Sequence, residues 1–319
     1  MSIKNKIIDS LKQTMFIYKP VVLLMQFYNK TFVSNESSIK VTFKKRLKRK
    51  LVLDKPVLYN DKLQWLKLYW RDNLAIVCAD KYEVRSLIEQ IIGSHYLNEI
   101  YHVYQSTSDI KLDKLPDQFV LKGTHGSGFN LFCSNKSNFD SKKEFKKMDL
   151  WLKLNYFYKG REWVYQTIKP RIIAERYLSD KSGNPPMDYK IYCFNGIPKL
   201  IQVDIDRFGK HKQNFYDCDW NFRDVRIWCE NDKNTMIDKP INFDKMLEIS
   251  TILSKPFPHV RVDLYNLDGQ ILFGELTFFH LNGYMPFIDK ELELEMGEWL
   301  DLSKIDQRGN YHYESSKVI

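Results

Sequence analysis

The segment from His259 to Thr277 constrains the fold more than any other: His-Val-Arg-Val-Asp-Leu-Tyr-Asn-Leu-Asp-Gly-Gln-Ile-Leu-Phe-Gly-Glu-Leu-Thr. Two alternating runs flank Asp268-Gly269, a strong short-range hairpin signal. Side chains alternate along a strand, so Arg261, Asp263 and Tyr265 share one face and Val260, Val262 and Leu264 the other. On the second strand Ile271, Phe273, Glu275 and Thr277 lie together. An odd-length loop, with Gly269 as a left-handed bulge, pairs the Arg261 face with the Glu275 face; a two-residue loop puts Asp263 and Glu275 on opposite sides. In the odd register two carboxylates and a guanidinium meet on one surface. Such carboxylates repel unless a cation sits between them, and oxygen-only ligands favour magnesium. A polar-faced hairpin with an incidental Arg–Asp pair explains the same stretch equally well.

The remaining chain reads as a succession of helices and strands. Phe119-Val-Leu-Lys122 is a short apolar strand leading into Gly123-Thr-His-Gly126-Ser-Gly128. The N–H groups of such a loop can point at an anion, with Lys122 adding a full charge. Neither a Walker A loop nor Gly-x-Gly-x-x-Gly is present, and an ordinary glycine-rich turn is the plain alternative. Arg171–Glu175 reads as a buried strand ending in an acid, and 180–186 as a polar loop. Tyr189–Phe194 and Ile197–Val203 form a second hairpin across Asn195-Gly196, with Lys190, Tyr192 and Phe194 on one face. Asp204-Ile-Asp206-Arg207 follows, with His211 nearby. Helices are expected over Lys4–Ile17, after the near-capping box Asp80…Glu83 up to Gly93, in patches over 139–165, and over 243–255. Lys81 and Arg85 are taken as solvated charges by default, anion contacts being the sharper reading. His280–Pro286 looks like a turn beside the hairpin face.

At 319 residues the chain exceeds one small core, which predicts subdomains. Its net charge of +9 points to anionic partners. Much of that charge is local, in Lys40 and the run Lys44–Lys50. A solvated tail is the default there, and contact with a membrane surface or polyanion the alternative. Nucleic-acid binding rests on that run alone and is not expected. Cysteines 78, 133, 193, 218 and 229 form no Cys-x-x-Cys, which predicts reduced thiols in a cytoplasmic protein without zinc. The start lacks a signal-peptide pattern. Lys19-Pro20 interrupts the apolar patch from Met15 to Tyr28, so it cannot span a bilayer.

Taken in order, the strand ending in Lys122, the glycine loop, the strand ending in Glu175, Asp188-Tyr-Lys190 and the late hairpin resemble the ATP-grasp superfamily. The resemblance narrows to the TupA-like ATP-grasp group, associated with teichuronopeptide and capsular polysaccharide clusters. It is carried by Asp80-Lys-Tyr-Glu-Val-Arg85, residues 119–128, Arg161-Glu-Trp163, residues 170–175 and 188–196, Arg261–Tyr265 and Phe273–Thr277. These cover roughly residues 60–300.

That resemblance implies two α+β lobes closing on ATP. Its expected units are an N-terminal helical and basic extension (1–50), a preceding unit (51–118), a small lobe (119–180), a large lobe with the metal site (181–303) and a polar tail (304–319). It also implies that Lys122 and Gly126-Ser127-Gly128 hold the phosphates, with His125 at the mouth. Glu175 and the Tyr177 backbone would meet the adenine and ribose. Asp188 would bond the ribose hydroxyls, and Lys190 would reach the outer phosphates. Asp263 and Glu275 would hold Mg2+. Many family members end this hairpin Glu-x-Asn, so Thr277 in the last place leaves its part in coordination open. Arg261 would stabilise the transferring phosphoryl group.

The implied activity is carboxylate–amine ligation through an acyl phosphate, joining an amine or amino acid to a sugar acid of a surface polysaccharide. The expected location is the cytoplasm, with contact at the inner face of the membrane through residues 40–50 as the alternative. Asp206, Arg207 and His211 are substrate candidates, a structural salt bridge being their default. The competing reading is a glycosyltransferase, from Asp204-Ile-Asp206 and Asp217-Cys-Asp219, two matches to the loose metal-binding pattern Asp-x-Asp. That reading leaves the Lys122 loop and the late hairpin unexplained.

Overall fold

The computed structural model describes residues 15–181, 183, 185–205 and 211–313. Its first elements are helices α1 (Met15–Thr31), α2 (Asn35–Leu47), α3 (Tyr59–Tyr69), α4 (Asn73–Ala79) and α5 (Val84–Ile91). Strands β1 (Ile100–Tyr104), β2 (Phe119–Gly123) and β3 (Asn130–Cys133) follow, then helices α6 (Ser141–Trp151) and α7 (Phe157–Gly160). Next come β4 (Ile172–Arg176), β5 (Asp188–Phe194), β6 (Ile197–Ile205), β7 (Lys212–Tyr216) and β8 (Phe222–Arg223). Helix α8 (Phe243–Ser254), strands β9 (His259–Leu267) and β10 (Gln270–Thr277) and helix α9 (Lys290–Trp299) complete the order.

The strands form two antiparallel sheets, ordered β1-β4-β2-β3 and β10-β9-β5-β6-β7-β8. In the small sheet Phe119, Leu121, Ile172 and Ala174 pack on Met148 of α6. The pairing Val120↔Glu175 turns Val120, Lys122 and Glu175 to the opposite face. In the large sheet Ile191, Val203, Val262 and Leu264 pack on Met246, Ile249 and Leu253 of α8. Burying each such side chain is worth about 1.5–3 kcal/mol. The pairs Asp188↔Tyr265, Lys190↔Asp263 and Tyr192↔Arg261 then leave the polar partners together on the far face.

The late hairpin forms by a different route from the one expected. Its loop has two residues, Asp268 and Gly269, both with positive φ (51° and 96°), and Leu267 pairs with Gln270. That loop alone would separate Asp263 from Glu275. A bulge between Phe273 and Glu275 shifts the register, so that Glu275 pairs with Asp263 and Thr277 with Arg261. Gly274 is the extra residue, and it lies against the partner backbone: a Cβ there would sit 2.9 Å from the Asp263 carbonyl oxygen. The two carboxylates meet because of Gly274, not Gly269.

The second hairpin turns at Asn195-Gly196 as read, both at positive φ. Strand β1 had no clear sequence signal; it joins β4 through the pair Ile100↔Glu175. The basic run is no solvated tail: Ile39 and Phe43 of α2 are buried, and Arg49 ion-pairs with Asp61 (2.6 Å) and Glu293 (3.1 Å). The polar tail folds back as far as 313, with Ile305 bridging Tyr311. The helix expected over Lys4–Ile17 lies mostly outside the described residues. The cysteines are unpaired.

Candidate active site

The polar faces of the two sheets line one cleft of about 800 Å³. From the large sheet come Asp188, Lys190, Asp204, Arg261, Asp263 and Glu275; Lys122 and Glu175 come from the small one. Val120, Phe132, Leu178, Met187 and Ile205 give the cleft an apolar wall.

Arg261, buried on β9, is held through all three of its guanidinium nitrogens. Its Nε and one Nη donate to both Asp263 oxygens at 2.6 Å, and the same Nη reaches the Thr277 hydroxyl at 3.2 Å. Its other Nη donates to His280 Nδ1 at 2.6 Å, while the Tyr192 hydroxyl contacts the same imidazole. Burial, with Arg261 beside it, keeps His280 well below its ordinary pKa, so it is a neutral acceptor. A guanidinium fixed this way presents its charge without rearranging. Burial raises the Asp263 carboxyl to about 7 although Arg261 and its hydrogen bonds oppose the rise.

Glu275 is the carboxylate that opens to the cleft. Burial would raise it, but Lys81, Arg261 and the Thr277 hydroxyl together hold it well below the usual carboxylate range. Thr277 donates to Glu275 Oε1 at 2.8 Å, and Lys81 ion-pairs with Oε2 at 3.1 Å. Lys81 was read as solvated by default; instead it spans the cleft, its ammonium also donating to the Gly126 carbonyl at 3.2 Å. Its position is built from behind. Asp80 Oδ1 accepts from the Tyr82 N–H, and Asp80 Oδ2 accepts from Arg171 at 2.8 Å. The Lys81 N–H donates to Thr124 O just ahead of the glycine loop. Arg85 lines the cleft too, donating to Asn98 O.

The other expected residues divide. Lys122 and Glu175 form an ion pair at 2.6 Å. Lys190 bridges Asp188 and Asp204, the latter at 2.7 Å. Burial would raise Asp204, but Lys190, Gln202 and Gln213 overcome it and keep that carboxylate ionised. Ser127, Gly128 and Tyr177 line the cleft. Gly126 lies under the loop, where a Cβ would fall 2.7 Å from the Tyr156 ring. His125 is not at the mouth. It is buried, bonded through Nε2 to Trp151 O at 2.7 Å and packed on Phe129, because an imidazole among aromatics gains more from packing than from water. Asp206 and Arg207 lie outside the described residues, and His211 contacts Asp204 at 3.3 Å. Of the two Asp-x-Asp matches, Asp217 caps its own turn, accepting from the Asp219 and Asn221 N–H groups. Asp204 is occupied by Lys190.

Asp263, Glu275 and Thr277 supply only oxygen donors, which suits a hard cation such as magnesium. Among the described residues no cluster of three or more His, Cys, Asp or Glu side chains could hold a metal. A cation here would therefore take two chain carboxylates and complete its shell with phosphate oxygens and water, as magnesium does readily.

The family described as TupA-like ATPgrasp matches residues 61–301. Among solved structures the chain is similar to D-alanine–D-alanine ligase from Bacillus anthracis complexed with ATP, with 15% identity over 63% of this chain and 54% of that one and a TM-score of 0.36. It is also similar to phosphoribosylamine–glycine ligase from Thermotoga maritima, with 11% identity over 66% and 49% and a TM-score of 0.41. D-alanine–D-alanine ligase from Helicobacter pylori gives 9% identity over 76% and 69%, with a TM-score of 0.39. The chain spans about half the length of the first two of these structures. No curated protein matches it.

Proposed function

Since the chain belongs to the TupA-like ATP-grasp family, we propose that it is an ATP- and Mg2+-dependent carboxylate–amine ligase. The overall reaction joins a carboxylate and an amine as an amide while ATP becomes ADP and phosphate. One observation carries the reading: a single cleft is lined from both sides by the cations Lys81, Lys122, Lys190 and Arg261, and two of these, Lys81 and Arg261, meet the paired carboxylates Asp263 and Glu275.

Phosphoryl transfer asks mainly for positioning and charge stabilisation. Lys122, Lys190 and the Ser127-Gly128 backbone would hold the phosphates, and the apolar wall with Tyr177 would hold the base. Asp263 and Glu275 would hold magnesium, which supplies charge neutralisation on the phosphates. Lys81, which pairs with Glu275 at 3.1 Å, stands where its ammonium could also donate to a phosphate oxygen. Arg261 keeps its geometry throughout and stabilises negative charge as the carboxylate is activated. The finer reading, an amine or amino acid joined to a sugar acid of a surface polysaccharide, rests on the family's association alone.

Thermal melting tests the nucleotide site. With magnesium and a non-hydrolysable ATP analogue at a hundredfold its dissociation constant, the native state gains about 2.7 kcal/mol. A magnesium-dependent shift is expected with the analogue and none with a UDP-sugar; the reverse would favour the glycosyltransferase. Glu275→Gln should melt normally yet lose the magnesium-dependent part of the shift. A variant that keeps it removes Glu275 from the metal site.

A further inference from the structure

Helix α1 is inverted relative to an ordinary surface helix. Toward the body it turns Val22, Leu23 and two polar side chains, Gln26 and Asn29. Gln26 accepts from the Asn155 N–H at 3.2 Å, while buried Arg161 donates to the Asn29 carbonyl at 3.0 Å. Away from the body, Leu24, Tyr28 and Phe32 follow at four-residue spacing and are 68%, 58% and 68% exposed. Met25 and Phe27 widen the stripe. A continuous apolar face of this kind marks a docking surface, because water contact along it is unfavourable and removable.

The charge beside it says what docks. Between residues 15 and 50 Glu36 is the only acid. Lys30 on α1 and Lys40, Lys44, Lys45 and Arg46 on α2 are exposed, as is Lys48 beyond it. Lys40 is paired with Glu36, but a second copy of the chain or a neutral protein groove would match the stripe and leave the other cations unanswered. An anionic lipid surface answers both, apolar side chains entering the acyl boundary and lysines meeting headgroups. No helix among the described residues is long and apolar enough to cross a membrane, so the contact lies in the surface plane.

We propose that α1 docks this protein on an anionic membrane through the Leu24–Tyr28–Phe32 stripe, with the α2 lysines on the headgroups. The proposal does not depend on the ligase reading. It is tested by co-sedimentation of the full chain with phosphatidylglycerol/phosphatidylcholine vesicles, pure phosphatidylcholine vesicles serving as the comparison. Binding should need the anionic lipid, fall about tenfold or more between low salt and about 0.5 M salt, and be lost in Leu24→Glu/Tyr28→Glu. Both positions are exposed, so that variant should melt like the parent. Failure to sediment, equal binding to both vesicles, or undiminished binding by the variant would each overturn the proposal. So would a parent that light scattering finds dimeric and the variant monomeric.

Discussion

At the scale of single residues the cleft is governed by which cation each carboxylate keeps. Glu275 stays ionised through Lys81 and Arg261, and Lys81 reaches it only because Asp80, Arg171 and Thr124 O fix the turn that carries it. Lys81→Met keeps much of the side-chain bulk and removes the charge. We expect ADP release to fall on the order of 10²–10³-fold, the usual effect of deleting one preorganised charge-stabilising donor. Stability should change far less, since an unpaired Glu275 opens to solvent. Turnover within a few-fold of the parent would exclude Lys81 from the reaction. Strand alternation made the shared face of Arg261 and Asp263 and the face of Lys190 legible in the sequence, because one face of a strand is fixed locally; that Glu275 joins them depends on the register shift beyond Phe273. Lys81 was not legible: a lysine ahead of a helix looks solvated until a carboxylate 194 positions away is placed beside it. His125 misled for the same reason in reverse, since its glycine neighbours suggested exposure while its partners, Phe129 and Trp151, are supplied by the fold.

Among the elements, turn chemistry was readable and bulges were not. Asn195-Gly196 and Asp268-Gly269 announce hairpins because positive φ is a property of those residues themselves. The Gly274 bulge depends on how closely β9 approaches, which no window of sequence contains. An isolated glycine in a strand was the one available sign. Gly274→Ala tests its role: with the new Cβ 2.9 Å from a backbone oxygen, the strand must shift rather than a side chain rotate. A cost of about 1–3 kcal/mol is expected from such overpacking. Affinity for magnesium and nucleotide should drop more than this destabilisation explains, because the shift separates Glu275 from Asp263. Calorimetry of the folded variant decides it; full affinity would mean that the carboxylates meet without the bulge. Over 139–165 the expected helical patches became α6 and the short α7, which ends where Gly160 abuts the Asn282 side chain.

Over the whole molecule, closing helix α3 on the large sheet buries a histidine that cannot be charged. His259 is fully buried; its Nδ1–H donates to Cys193 O at 2.9 Å, and its Nε2 accepts from the Tyr59 hydroxyl at 2.8 Å. Burial lowers it to about 3, and Arg261 adds to the effect. As pH falls through about 6.5 the unfolded chain takes up a proton that the folded chain refuses. The stability His259 contributes is therefore complete above about pH 6.5 and shrinks below it by about 1.4 kcal/mol per unit, or about 2 kcal/mol by pH 5. Asp263 and Glu162 act oppositely over the same window. Burial raises each to about 7, so the folded chain binds their protons before the unfolded chain does. The parent's pH profile thus sums contributions of opposite sign, and only a difference isolates the histidine. His259→Gln can still donate to Cys193 O and accept from Tyr59 but cannot titrate. Urea melts between pH 5 and 7 should show the variant gaining on the parent as pH falls, by about 2 kcal/mol at pH 5. Parallel profiles would mean that His259 takes its proton without unfolding the α3 contact, and that this contact is looser than its hydrogen bonds indicate.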